Sequence, residues 1–275
     1  MPELPEVETT RAGLAPHVTG RVVTGVLLRR GDLRWPIPPE VARALPGQRI
    51  DAVRRRAKYL LLDTGVGSAL LHLGMSGSLR VVATDAAVRA HDHVDIGLAA
   101  SAGRPAQVLR FNDPRRFGCL LWQPRGETHP LLRELGPEPL SDDFDGDHLF
   151  ARSRGRTAPV KSFLMDQRVV VGVGNIYAAE ALFAAGIAPL REAGSLSRAR
   201  YARLADAVRS ILGHAIARGG TTLRDYINPD GAPGYFEQEL AVYGRQDQPC
   251  RRCGRALSHA VIGQRASVWC RHCQR

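Results

Sequence analysis

Nowhere in the 275 residues does an apolar run approach the roughly 20 residues that a membrane span requires. The opening MPELPEVETT has neither the basic start nor the apolar stretch of a secretory signal. No membrane partner is expected, and the chain reads as cytoplasmic. Cysteine is scarce: four of the five lie in the last 26 residues. That leaves residues 1–249 without a disulfide framework, because Cys119 stands alone in the apolar run FGCLLW as a small buried hydrophobe. Neither an internal repeat nor a low-complexity tract is present, which removes repeat arrays from consideration. Acidic residues are in deficit, 27 against 38 basic ones, for a net charge of +11 and an isoelectric point near 10.2. That balance points to a polyanionic partner, with DNA, RNA and an anionic membrane as the candidates and the membrane the weakest of them.

Two regions of different character follow one another. From Arg21 to Trp122 the sequence runs as short apolar segments broken by turns: RVVTGVLL, KYLLLDTG, SALLHLG, SLRVVA, HVDIGLA, AQVLRF and GCLLW. Strands at this spacing predict a sandwich or barrel. Beyond about residue 133 the turn-rich ELGPEPLSDDFDGD reads as a hinge. Tyr201, Leu204, Ala205, Val208, Ile211, Leu212, Ala215 and Ile216 then form the apolar stripe of an amphipathic helix, with Ser197 as N-cap and Gly219-Gly220 as its end. A shorter helix, NIYAAEALFAAG, follows VVVGVGN.

Cys250-x2-Cys253 and Cys270-x2-Cys273, sixteen residues apart, have the spacing of a four-cysteine zinc site. Two disulfides are the alternative, and a reducing compartment disfavours them. Four thiolates would fill a tetrahedral shell, so the metal would be structural. His91 and His93 in HDHVD share a strand face without completing a metal site, and are read as structural.

The terminus poses its own question. Proline in second place predicts removal of Met1, which leaves Pro2 as an N-terminal secondary amine. An α-amino group titrates near 7.7–8.0 against about 10.4 for lysine, so a useful fraction is nucleophilic at neutral pH and can condense with an aldehyde to an iminium. Glu3 and Glu6 could move protons to and from a sugar oxygen beside it. Carboxylates in a first helical turn also serve as dipole partners, and Glu8 is assigned that role. Met75, between two glycines in a turn, suits insertion, with burial in the core as the alternative reading. Asn175, at a helix start, is either an anion contact or an ordinary N-cap.

MPELPEVETT, RRRAKYLLL, LLHLGMSGSLR, NDPRRFG, VVGVGNIYAAEALFAAGI, GGTTLRDY, GYFEQELAVYGR and the four-cysteine tail, in this order, resemble the formamidopyrimidine-DNA glycosylases, bacterial enzymes that remove oxidised purines from duplex DNA. The resemblance implies an α+β fold: residues 2–133 as a catalytic β-sandwich domain with an N-terminal helix, 134–151 as a hinge, 152–244 as a helix-two-turn-helix DNA-binding domain, and 245–275 as a zinc hairpin. It implies a bifunctional glycosylase and abasic-site lyase, monomeric and nucleoid-associated, acting through a Schiff base with β,δ-elimination. Pro2 would be the nucleophile, Glu3 the acid at the ring oxygen, Glu6 an aid to orientation, and Lys58 a contact to phosphate. Arg265 and His72 would bind phosphates, as would Asn175. Met75, Arg115 and Phe117 would fill the space of a flipped base, and Thr221, Thr222, Arg224 and Tyr226 would belong to a loop that cups the lesion. Two rival readings are an endonuclease VIII-like glycosylase for oxidised pyrimidines and a nonenzymatic zinc-ribbon DNA-binding protein. The stretches PELPEVET and GGTTLRDYINPDGAPGYF favour the purine branch, and a scaffold has no need of Pro2, Glu3 and Lys58 together.

Overall fold

The structure, a computed structural model, describes residues 2–101, 103–220 and 239–275. The chain divides into two compact units, 1–133 with 219–234, and 134–218 with 235–275.

The first unit begins with helix α1 (Leu4–Val18) and continues through β1 (Val23–Leu28), α2 (Pro39–Ala44), β2 (Ile50–Arg56), β3 (Tyr59–Thr64), β4 (Gly67–His72), β5 (Ser78–Ala83), β6 (Asp92–Leu98), β7 (Gln107–Asn112), β8 (Cys119–Pro124) and the short α3 (Pro130–Arg133). Every strand pairing is antiparallel, in two four-stranded sheets ordered β1-β6-β7-β5 and β2-β3-β4-β8. Leu79, Ile96, Leu109 and Phe111 of one sheet share a core with Val53, Leu60, Leu62 and Leu71 of the other, so the unit is a sandwich. Val7, Leu14 and Val18 on one face of α1 close the same core.

One strand escapes the apolar-run reading. IDAVRRR, over β2, looks like a basic surface segment, yet Ile50 and Val53 are buried and Arg54 pairs with Asp63 across the ladder. Its three consecutive arginines conceal a strand whose apolar residues nonetheless enter the core.

The second unit holds α4 (Gly146–Ser153), α5 (Val160–Leu164), α6 (Asn175–Ala184), α7 (Arg198–Ala217) and a hairpin of β9 (Ser258–Ile262) with β10 (Arg265–Trp269). The Ser197 hydroxyl accepts from Arg200 N at 3.4 Å and caps α7, and Tyr201, Leu204, Ala205, Val208, Leu212 and Ala215 form its buried stripe. On α6, the buried Glu180 carboxylate accepts three consecutive backbone N–H groups, from Ala241, Val242 and Tyr243, at 2.8–2.9 Å. Those bonds anchor the approach to the hairpin. Among the described residues no helix is long and apolar enough to cross a membrane.

Helices α4 and α7 meet at Gly146, where a Cβ would lie 2.4 Å from the Ala202 Cα. Overpacking of a tight contact costs roughly 1–3 kcal/mol. Gly146→Ala is therefore expected to lower the melting temperature, as followed by circular dichroism.

Candidate active site and zinc centre

The N-terminus is held in place. Pro2, Glu3 and Glu6 are all buried, with Glu3 at 2% exposure and Glu6 at 0%. Glu3 is the N-cap of α1, Pro5 sits in the first turn where a missing N–H costs nothing, and Glu3 and Glu6 form a capping box. In it the Glu6 Oε2 accepts the Glu3 N–H at 2.8 Å, which fixes the peptide that follows Pro2. Gly220, in the same unit, has φ +78°, and a Cβ there would lie 3.0 Å from Glu6 Oε1. Glycine alone lets the chain pass this carboxylate so closely.

Lys58 lies in the two-residue turn between β2 and β3 and is only 8% exposed. Ala57 before it adopts the left-handed region, φ 54°, which an alanine occupies at some energetic cost. Glu8 does more than serve the helix dipole, because its carboxylate accepts from Arg11 at 2.7 Å and from Arg55 Nε at 2.9 Å. Arg55 Nη1 in turn donates to the Ala57 carbonyl at 2.9 Å.

His72 ends β4, opposite Tyr59 in the ladder, with ring centroids 4.9 Å apart. Its Nδ1 accepts the Gly74 N–H at 2.9 Å, which only a neutral ring can do, leaving Nε2–H as the donor. Burial first, and then the neighbouring charges of Lys58 and Arg34, push its pKa down to about 4. Arg34 is thus a further cation in this cluster, which no motif had marked. Cys119, opposite His72 in the ladder, is buried, and burial pushes its thiol up to about 12. It is a packed hydrophobe without nucleophilic character.

Two loops next to this cluster are built as one. Met75 is half-buried at the tip of the β4–β5 turn, whereas Arg115 is exposed and Phe117 is 45% exposed. The Arg115 guanidinium sits 5.1 Å from the Phe117 ring centroid. Gly74 and Gly118 let the loops touch backbone to backbone: a Cβ on Gly74 would be 2.4 Å from Gly118 N, and one on Gly118 2.6 Å from the His72 carbonyl. The fully buried Asp113 joins them, accepting from Ser76 Oγ at 3.1 Å and from Gly118 N at 2.7 Å. His93 donates through Nε2 to the Asp113 carbonyl at 3.0 Å, a structural role for this one of the two HDHVD histidines.

In the second unit Asn175 is the first residue of α6, and Gly174 occupies the N-cap position. The Asn175 Nδ2 donates to the Ala266 carbonyl at 3.1 Å, and its Oδ1 has no hydrogen-bond partner among the described residues. Arg265 is exposed at the start of β10, after a tight turn whose two central residues, Gly263 and Gln264, have φ 55° and 61°. Lys161 steadies that hairpin. It is 1% exposed and donates to Ser267 Oγ at 2.6 Å and to the Ala266 carbonyl at 3.2 Å. Of the 38 basic residues only Lys58 and Lys161 are lysines, and both are buried.

Cys250, Cys253, Cys270 and Cys273 gather their sulfurs within 4.8 Å of one another. The Cys250–Cys273 and Cys253–Cys270 separations are 4.0 and 3.5 Å, far from the roughly 2.05 Å of a disulfide. Four thiolates at about 2.3 Å from a tetrahedral zinc stand about 3.8 Å apart, so the set fits that ion. The site holds one structural zinc that pins both ends of the β9–β10 hairpin and leaves no coordination position for water. Thr221, Thr222, Arg224 and Tyr226 lie outside the described residues.

A sandwich domain and a zinc finger of these two families in one chain mark the base-excision DNA glycosylases that also cleave abasic sites. Within that class, the chain belongs to the formamidopyrimidine-DNA glycosylase family. Residues 1–120 match the formamidopyrimidine-DNA glycosylase N-terminal domain, 135–226 its H2TH domain, and 247–275 a zinc finger found in FPG and IleRS. The formamidopyrimidine-DNA glycosylase of Stenotrophomonas maltophilia strain R551-3 is 78% identical, with each chain covered in full. The crystal structure of the Thermus thermophilus Fpg protein is similar at a TM-score of 0.88 and 41% identity, covering 99% of this chain and 98% of that one. The Lactococcus lactis Fpg, solved in complex with DNA containing an abasic site, is 30% identical at a TM-score of 0.89, covering 99% of each chain.

Two outcomes are expected. Between pH 6.5 and about 4 the unfolded chain binds a proton at position 72 that the folded chain refuses, so acidification across that window costs stability. His72→Gln removes this term and should flatten the fall by up to about 3 kcal/mol, read from urea melts at stepped pH. Identical slopes would show that His72 protonates freely. Metal analysis should find one zinc per chain, and Cys253→Ser should lose it together with affinity for duplex DNA.

Proposed function

We propose that the chain excises oxidised purines, 8-oxoguanine and formamidopyrimidines among them, from duplex DNA and then cleaves the resulting abasic site, acting as a cytoplasmic monomer. The observation that carries the reading is the buried, capped N-terminus, in which Glu3 and Glu6 flank Pro2 and Glu6 holds the following amide. With Met1 removed, the Pro2 nitrogen attacks C1′ of the damaged nucleotide. The C1′–N bond to the base breaks, the base leaves with a proton, and Glu3 protonates the ring oxygen as the sugar opens to an iminium. Loss of a C2′ proton then expels the 3′ phosphate by β-elimination, and δ-elimination expels the 5′ phosphate. Water finally releases the sugar remnant from Pro2. Glu6 orients the terminus throughout.

Lys58 and His72 of the first unit contact the backbone phosphates, as do Asn175 and Arg265 of the second. His72 does so as a neutral donor through Nε2, in keeping with its depressed pKa. A base inside a duplex is unreachable until it is flipped, at a cost of a few kcal/mol. Met75 and Arg115 occupy the vacated stack while Phe117 wedges the opposite strand, a use that suits an aromatic ring left 45% exposed beneath a guanidinium. The loop carrying Thr221, Thr222, Arg224 and Tyr226 cups the lesion. The relatives solved on DNA with an abasic site or a Fapy-dG lesion support this choice of partner.

Borohydride reduction during turnover on 8-oxoguanine duplex is expected to give a permanent protein–DNA cross-link, which mass spectrometry should locate at residue 2. Glu3→Gln should still bind the duplex but lose base excision. A cross-link found only at Lys58, or full activity in chains that retain Met1, would refute the assignment.

A further inference from the structure

We propose that the Glu8–Arg55 ion pair is a positioning device for the reaction. It fixes the helix that carries Pro2 against the turn that carries Lys58, so that amine and lysine meet one nucleotide at a set spacing. The inference rests on the reading of Pro2 and Lys58 given above.

A single guanidinium spans two elements. Its Nε donates to Glu8 Oε2 on α1 at 2.9 Å, and its Nη1 donates to the Ala57 carbonyl, one residue before Lys58, also at 2.9 Å. Arginine is suited to this because its donors lie in one rigid plane, so fixing one bond directs the other. The pair is sheltered, with side-chain exposures of 12% and 20%, where such contacts outlast screening by salt. Arg11 holds the remaining Glu8 oxygen at 2.7 Å and keeps the carboxylate from swinging away.

Helix attachment alone does not account for this arrangement. Val7, Leu14 and Val18 already bury one face of α1 in the core, and a carboxylate in the second turn of a helix needs no sheet arginine to be satisfied. What the pair adds is a hold on the turn. Ala57 stands there at φ 54°, so the turn needs an external contact to keep its shape, and the Arg55 bond is made to that residue's own carbonyl.

The test uses the full-length, zinc-loaded protein, with Glu8→Gln, Arg55→Lys, Lys58→Ala and the combination of Glu8→Gln with Lys58→Ala. Single-turnover cleavage is measured at a preformed abasic site, and affinity is measured on duplex carrying a tetrahydrofuran analogue that cannot form an imine. Misplacing a reacting group by an ångström costs up to about 100-fold, so Glu8→Gln and Arg55→Lys should each slow cleavage at least about tenfold. Affinity should fall far less than the cleavage rate, since at most the one phosphate contact of Lys58 is displaced. In the Lys58→Ala background, Glu8→Gln should cost nothing further, because there is no lysine left to place.

If Lys58→Ala is slow while Glu8→Gln and Arg55→Lys keep the normal rate, the inference fails and the site reading stands. A Glu8→Gln loss that persists undiminished without Lys58, or that is matched by an equal loss of affinity, also overturns it. Should Lys58→Ala cleave at the normal rate, the site reading fails and the inference falls with it.

Discussion

A chain terminus frays unless something holds it, and a terminus that does chemistry cannot be allowed to fray. One hydrogen bond meets that constraint here, from the Glu3 N–H to the Glu6 carboxylate inside the first turn of α1. The bond exists because PELPEVE is written as a helix start: proline where no donor is needed, and glutamates three residues apart to cap one another. The same two side chains that begin the helix are the proposed acid and the orienting group beside the nucleophile. Local folding rules and catalytic placement thus make the same demand on these residues, and the sandwich beneath α1 holds the result steady.

The proposed DNA contacts of each unit are likewise held from behind. Asp113 ties the Met75 loop to the Arg115–Phe117 loop, so that three exposed or half-exposed side chains share one buried anchor. Lys161 and Asn175 both donate to the Ala266 carbonyl, while zinc grips the cysteines at the far end of the hairpin. Arg265 therefore projects from backbone held on two sides. Preorganisation of this kind lowers what remains to be ordered when a partner binds.

Much of this was legible in the sequence, because the relevant signals are local. Short apolar runs marked β1 and the strands from β3 to β8, the 3–4 spacing marked α7, and two CxxC pairs marked the metal site. β2 was missed because its arginines mask its apolar residues, and α4 because it starts inside the turn-rich stretch that reads as a hinge. Asn175, weighed as an N-cap, lies one residue inside the helix, since Gly174 takes the cap. Glu8 with Arg55, and Asp113 with Ser76, are separated by 47 and 37 residues. No periodicity or motif connects residues so far apart; the packing of α1 on β2 brings the first pair within reach, and the pairing of β5 with β7 the second.

The near-absence of lysine acquires a meaning once the two that exist are located. Abasic DNA carries an aldehyde, and any unprotonated primary amine that lingers beside one can form an imine with it. Arginine holds phosphate as well as lysine does, but its guanidinium stays protonated and does not condense. With Lys58 8% exposed and Lys161 1% exposed, nearly all of the positive charge this protein can offer a polyanion sits on groups that are inert to aldehydes. Electrostatic attraction and covalent reactivity are thereby separated, and a sugar aldehyde that drifts along the surface meets a competent amine only where the fold presents one.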